Sequence, residues 1–130
     1  MKKLLLLALI PFAVSATEIE RDTDGKIVRS HHTLVEFQKL NPCPVTGLKT
    51  GVCPSYVKDH IRPLCAGGHD AVENLKWSEH GYSVLRDKQE WELCRELKKQ
   101  FGTVKLDQPV KDLCTIVVHN KLDLIADICK

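Results

Sequence analysis

The chain has six cysteines but no Cys-x-x-Cys pair. A thiol–disulfide exchange enzyme would use that spacing, and structural zinc is commonly held on such paired knuckles, so both readings lose ground. A Gly-rich phosphate loop, a Ser-centred nucleophile motif, internal repeats and low-complexity tracts are absent as well. With them go P-loop nucleotide chemistry, serine-based acyl transfer and solenoid architecture. A membrane-length apolar run is also missing, because the stretch Leu4 to Val14 is too short to anchor stably in a bilayer.

That stretch follows Lys2 and Lys3 and leads into Ser15 and Ala16, with Val14 and Ala16 placed as in a secretory leader before its cut. Residues 1–16 are therefore expected to be a signal peptide. The mature chain, from about Thr17, would be secreted or periplasmic, with no membrane attachment. Losing two lysines brings nineteen basic residues to seventeen, equal to the seventeen acidic ones, so net charge is no argument for a polyanionic partner. The distribution still is one. Lys39, Lys49, Lys58 and Arg62 stand against Asp59 alone between positions 39 and 62, a local excess suited to phosphate contacts.

With sixteen of 130 residues removed, about 114 remain, enough for one domain with a modest core, near the size where exported folds recruit disulfides. Six cysteines allow fifteen full pairings. Cys43 and Cys53 flank a Pro- and Gly-rich loop that can close on itself. Cys114 and Cys129 sit on the apolar stripes of two predicted helical arms, and Cys65 is left for Cys94 by elimination.

Periodicity supplies the outline. Residues 17–41 form a polar arm with a turn at Asp24-Gly25, a short strand over Lys26 to Arg29, and a helix from His32 or Thr33 to Leu40. Thr33 and Glu36 read as its capping box, and Leu34, Phe37 and Leu40 as its stripe. Residues 42–102 hold the chemistry. Tyr56 and Val57 begin a strand that Ile61 to Leu64 is expected to answer as a hairpin. Ser78 is expected to cap a helix running to about Gln100 before Gly102, with Leu85, Trp91, Leu93, Cys94 and Leu97 on its apolar side. Residues 103–130 form a helical hairpin that packs on the rest, its first arm opened by Pro109.

The stretch Lys58 to Asn74, KDHIRPLCAGGHDAVEN, sets Asp59 directly beside His60 and follows them with Pro63 and Gly67-Gly68. Neighbours on a strand point to opposite faces, so both reach one reactant only if the chain bends behind them. A carboxylate suits a hard divalent cation, while an adjacent imidazole exchanges protons near neutral pH. With the preceding CPVTGLKTGVCPSYV, this stretch resembles the HNH endonucleases of the ββα-metal class, particularly a small secreted branch. The Cys-Pro pairs, Asp-His, Gly-Gly and Asn-Leu-x-Trp recur in order and at matching spacing, and the resemblance covers Pro42 to about Glu90.

The resemblance implies a small α+β domain with a ββα-metal (HNH) core, extra helices and disulfides, acting as a monomer on DNA, or with less support on RNA. It makes His60 the general base, Asp59 a metal ligand and Asn74 the residue that fixes loop and base. Mg²⁺ is the expected cation, with Mn²⁺, Ni²⁺ or Zn²⁺ as alternatives. Many members carry His or Asn nine positions after the Asn, where this chain has Ser83. Asp87 lies one helical turn further and is the favoured further ligand, since Arg86-Asp87 resembles the Lys-Asp of the secreted branch; His80 is its rival. Lys49, Lys58, Arg62 and Arg86 are the expected phosphate contacts. The competing reading, from a different class, is a catalytically silent, disulfide-stapled module that binds nucleic acid or protein.

Overall fold

The computed structural model describes residues 17–130, and the expected leader lies outside them. Helix α1 (His31–Leu40) is capped by Ser30, whose hydroxyl accepts the Thr33 amide at 3.4 Å. The cap falls before the expected Thr33 because Glu36 does not close a box: it pairs with Lys39 at 2.7 Å. The helix buries Phe37 and Gln38. The Gln38 amide donates to the Leu48 and Gly51 carbonyls at 3.2 and 3.1 Å, which steadies the loop closed by Cys43–Cys53.

Strand β1 (Tyr56–His60) leaves that loop and pairs antiparallel with β2 (Leu75–Glu79), Tyr56 opposite Glu79 and His60 opposite Leu75. The return strand is therefore not the expected Ile61–Leu64. Pro63 has no amide hydrogen for a ladder, and the segment instead opens a loop containing two single 3₁₀ turns, Leu64–Ala66 and Val72–Asn74. β2 buries Leu75, and Trp77 packs on Phe37 with ring centroids 5.6 Å apart. The Trp77 indole N–H donates to the Asn41 carbonyl at 2.8 Å.

Helix α2 (His80–Phe101) starts where β2 ends. Ser78, the expected cap, is buried within β2, and Glu79 takes the cap position without a side-chain bond. Gly102 stops the helix as expected, at φ 74° with its amide on the Lys98 carbonyl. The buried stripe is Ser83, Arg86, Leu93 and Leu97, a helical spacing. The expected apolar positions Leu85 and Trp91 are instead 54% and 68% exposed.

Only the apolar end of that stripe meets the core, where Leu93 and Leu97 pack with Ala66, Leu113, Ile116, Val117, Leu122, Ile125 and Ile128. Helix α3 (Val110–His119), preceded by Pro109, gives the first arm of the expected hairpin; the second, Asp123–Cys129, is 3₁₀ with a kink at Ile125. The Lys26–Arg29 strand reduces to an isolated Arg21–Ile27 bridge. The disulfides are Cys43–Cys53, Cys65–Cys94 and Cys114–Cys129, as the loop, hairpin and elimination arguments gave. The fold is thus α+β, with helices around a two-stranded sheet. No helix among the described residues is long and apolar enough to cross a membrane.

Candidate active site

The loop between the strands is built by its polar side chains. Asn74 accepts the Arg62 amide at 2.9 Å through Oδ1 and donates through Nδ2 to the Arg62 and His69 carbonyls, each at 2.9 Å. One amide group therefore closes the loop on itself. Gly68 is required there, since a Cβ would collide with the Arg62 carbonyl oxygen. Arg62 is turned inward: its guanidinium donates to the Ala66 carbonyl at 3.1 and 2.9 Å and also to that of Gln108. Burial lowers its pKa, with the nearby Asp107 opposing. Arg62 straps the loop to the segment before α3 and does not stand free for phosphate.

The bend after β1 lets Asp59 and His60 line one recess of about 180 Å³, together with Lys58, Asp70, Asp87, Glu90 and Arg29. Asp59 Oδ2 accepts the Ser83 hydroxyl at 3.3 Å, so Ser83 supports the Asp beside the His. His60 Nε2 lies 3.1 Å from Asp70 Oδ1, and Asp70 Oδ2 accepts the Ser30 amide at 2.6 Å. The N-terminus of α1 thus fixes the carboxylate that orients the imidazole.

Asp87 joins Asp59, but the third member of the group is Glu90: one carboxylate oxygen from each lies within 4.8 Å of the others. His80 is elsewhere. It sits exposed in the first turn of α2, its amide on the Ser55 carbonyl at 2.9 Å, beside the opposite end of β1. Burial raises the Asp87 pKa, Asp59 raises it further, and Arg29 and Arg86 oppose. For Glu90 burial is again the largest influence; the Arg86 hydrogen bond opposes it, yet with Asp59 and Asp87 close by the value reaches about 7. Three carboxylates held this close repel one another.

Arg86, expected on phosphate, is fully buried. It donates to Glu90 at 2.8 Å, Asp127 at 3.0 Å and the Ile61 carbonyl at 2.6 Å. It therefore holds the polar half of α2 against the C-terminal segment and the end of β1. Lys58 lies over the Trp77 ring at 5.6 Å from its centroid and keeps its place on the recess, its pKa lowered by burial. Lys49 is exposed on the Cys43–Cys53 loop. The sequence reading gave no role to Glu90, Asp70 or Arg29. Glu90 follows Asp87 at helical spacing and Asp70 closes the Gly-Gly-x-Asp run, so those two carried a local signal; Arg29 carried none.

No family model, curated protein or solved structure matches the chain.

Proposed function

We propose that this protein is an exported, metal-dependent endonuclease that hydrolyses phosphodiester bonds of DNA on a ββα-metal (HNH) core. The observation that carries the reading is the pairing, across one recess, of a carboxylate-oriented imidazole with three clustered carboxylates. The resemblance over Pro42 to Glu90 supports it, as does the succession β1, loop, β2, α2. Three disulfides suit an oxidising compartment, in keeping with secretion or a periplasmic location.

The donor set fits a hard divalent cation. Asp59, Asp87 and Glu90 offer only oxygen, and their mutual repulsion is what a cation relieves; that chemistry favours Mg²⁺ or Mn²⁺ over Zn²⁺ or Ni²⁺. Bound there, the ion would offset charge on the phosphate and the departing oxygen. The chain's own residues do the rest. A carboxylate only accepts, so the bond to Asp70 assigns the proton to His60 Nε2 and leaves the Nδ1 lone pair to take a proton from water. Asn74 keeps the loop, and with it Asp70, in register with β1. Lys58 and Arg29 supply positive charge at the rim for the phosphate.

Incubation of the purified protein with supercoiled plasmid tests this directly. Nicking with Mg²⁺ or Mn²⁺ that stops with EDTA is expected. Retention of plasmid without nicking under any divalent cation would favour the silent binding module.

A further inference from the structure

We propose that a second groove, adjoining the recess, binds a single-stranded stretch of polynucleotide, with Trp91 as a base-stacking platform and Arg21, Arg95 and Lys98 as phosphate contacts. The groove, about 690 Å³, runs between the N-terminal arm and α2. Trp91, Arg95 and Lys98 follow at helical spacing, so they share one side of the helix. Trp91 is 68% exposed, and the Arg95 guanidinium lies over its ring at 5.4 Å from the centroid, which sets a positive charge against one face of the indole.

Charge and continuity identify the occupant. The three cations lining the groove face a single lining carboxylate, Glu18, and none of the three has an ion-pair partner among the described residues. Cys65 lines both this groove and the recess holding His60. A strand whose phosphodiester sits at His60 therefore continues past the Cys65–Cys94 bridge onto Trp91 along one surface. Stacking on an indole needs a base whose own faces are free, which selects a single strand over an intact duplex.

The passage from recess to groove rests on the nuclease reading, but binding is measurable apart from it. The full chain carrying His60→Ala is titrated in EDTA with a short oligothymidylate, following tryptophan emission and affinity against salt. Quenching is expected. Trp91→Ala should weaken binding roughly tenfold with the salt slope unchanged, while Arg95→Ala and Lys98→Ala should each reduce the slope by about 0.7. Trp91 and Lys98 are exposed, so neither change empties the core. Affinity and slope equal to the parent's in every variant would overturn the groove even if the wild-type protein nicks plasmid. The expected losses in a protein that never nicks would leave the groove standing and remove the nuclease reading instead.

Discussion

In the proposed mechanism, His60 depends on one proton being in the right place. Replacing the imidazole should cut plasmid hydrolysis by roughly 10²-fold or more while leaving DNA affinity nearly unchanged, because His60→Ala removes a base and no phosphate contact. Near-full activity in that variant would exclude His60 from the mechanism. Asp70 acts through His60, and Asp70→Asn keeps its shape while ending its role as a pure acceptor. A loss of roughly 10- to 100-fold in kcat is expected, with little change in KM. The two losses should not add: in a His60→Ala background Asp70→Asn ought to cost nothing further, and full additivity would show that Asp70 serves only the fold. Among the carboxylates, Asp87→Ala and Glu90→Gln should each raise the cation concentration for half activity by roughly tenfold or more. His80→Ala should leave it alone, since His80 lies outside the cluster; the reverse ranking would move the ligand role to His80.

On α2 two kinds of burial share one stripe. Leu93 and Leu97 meet the core, while Ser83 and Arg86 on the same side serve the site. This division explains what the sequence did not disclose. A charged residue is read as solvent-facing unless its partners are known, and two of the three that Arg86 meets, Ile61 and Asp127, lie far along the chain. With Arg86 assigned to the surface, the helix had to find apolar positions elsewhere, and Leu85 and Trp91 were miscast. The second strand was hidden similarly: Leu75 and Trp77 alternate too briefly to mark a strand, and Ser78 looked like a cap. By contrast, Asp59, His60 and Asn74 fall within one short stretch, and Gly102 ends α2 through its own backbone, so their nearness to one another and the helix stop were legible from neighbours in sequence. The Arg86 junction gives a stability prediction. Burial would raise the Asp127 pKa, but hydrogen bonds from Lys76 and Arg86 outweigh it and hold the group below its ordinary value. A lowered carboxylate contributes stability that is complete above the unfolded-state value and is lost as pH falls through the folded one. Asp127→Asn should cost about 2 kcal/mol at neutral pH. That deficit should hold constant down to about pH 5 and shrink below about pH 4, as denaturant unfolding of both proteins across that range would show; a deficit that grows in acid would contradict the ion-pair account.

Across the described residues, the apolar core and the proposed site lie toward different ends of α2, and the Cys65–Cys94 bridge ties the site's loop to that helix. Cys65 belongs to the loop that carries Asp70 and Asn74, and Cys94 follows Glu90 by one helical turn. The bridge therefore controls how the loop with its imidazole-orienting carboxylate sits against the helix with two of the three clustered carboxylates. The core has other support, from α3, the C-terminal segment and Cys114–Cys129. A Cys65→Ala/Cys94→Ala protein should accordingly lose about 3 kcal/mol of stability, through the freedom restored to its unfolded chain, yet still fold. Its activity should fall further than its folded fraction does, and its cation requirement should rise, because the carboxylates of β1 and α2 are no longer held at fixed separation. The same order is expected on graded reduction of the wild-type protein: nicking declines while near-ultraviolet circular dichroism stays native. Simultaneous loss of both signals would make the bridge a structural staple alone, and unchanged activity after its removal would show that hydrogen bonds from Asn74, Arg62 and Arg86 already fix the site.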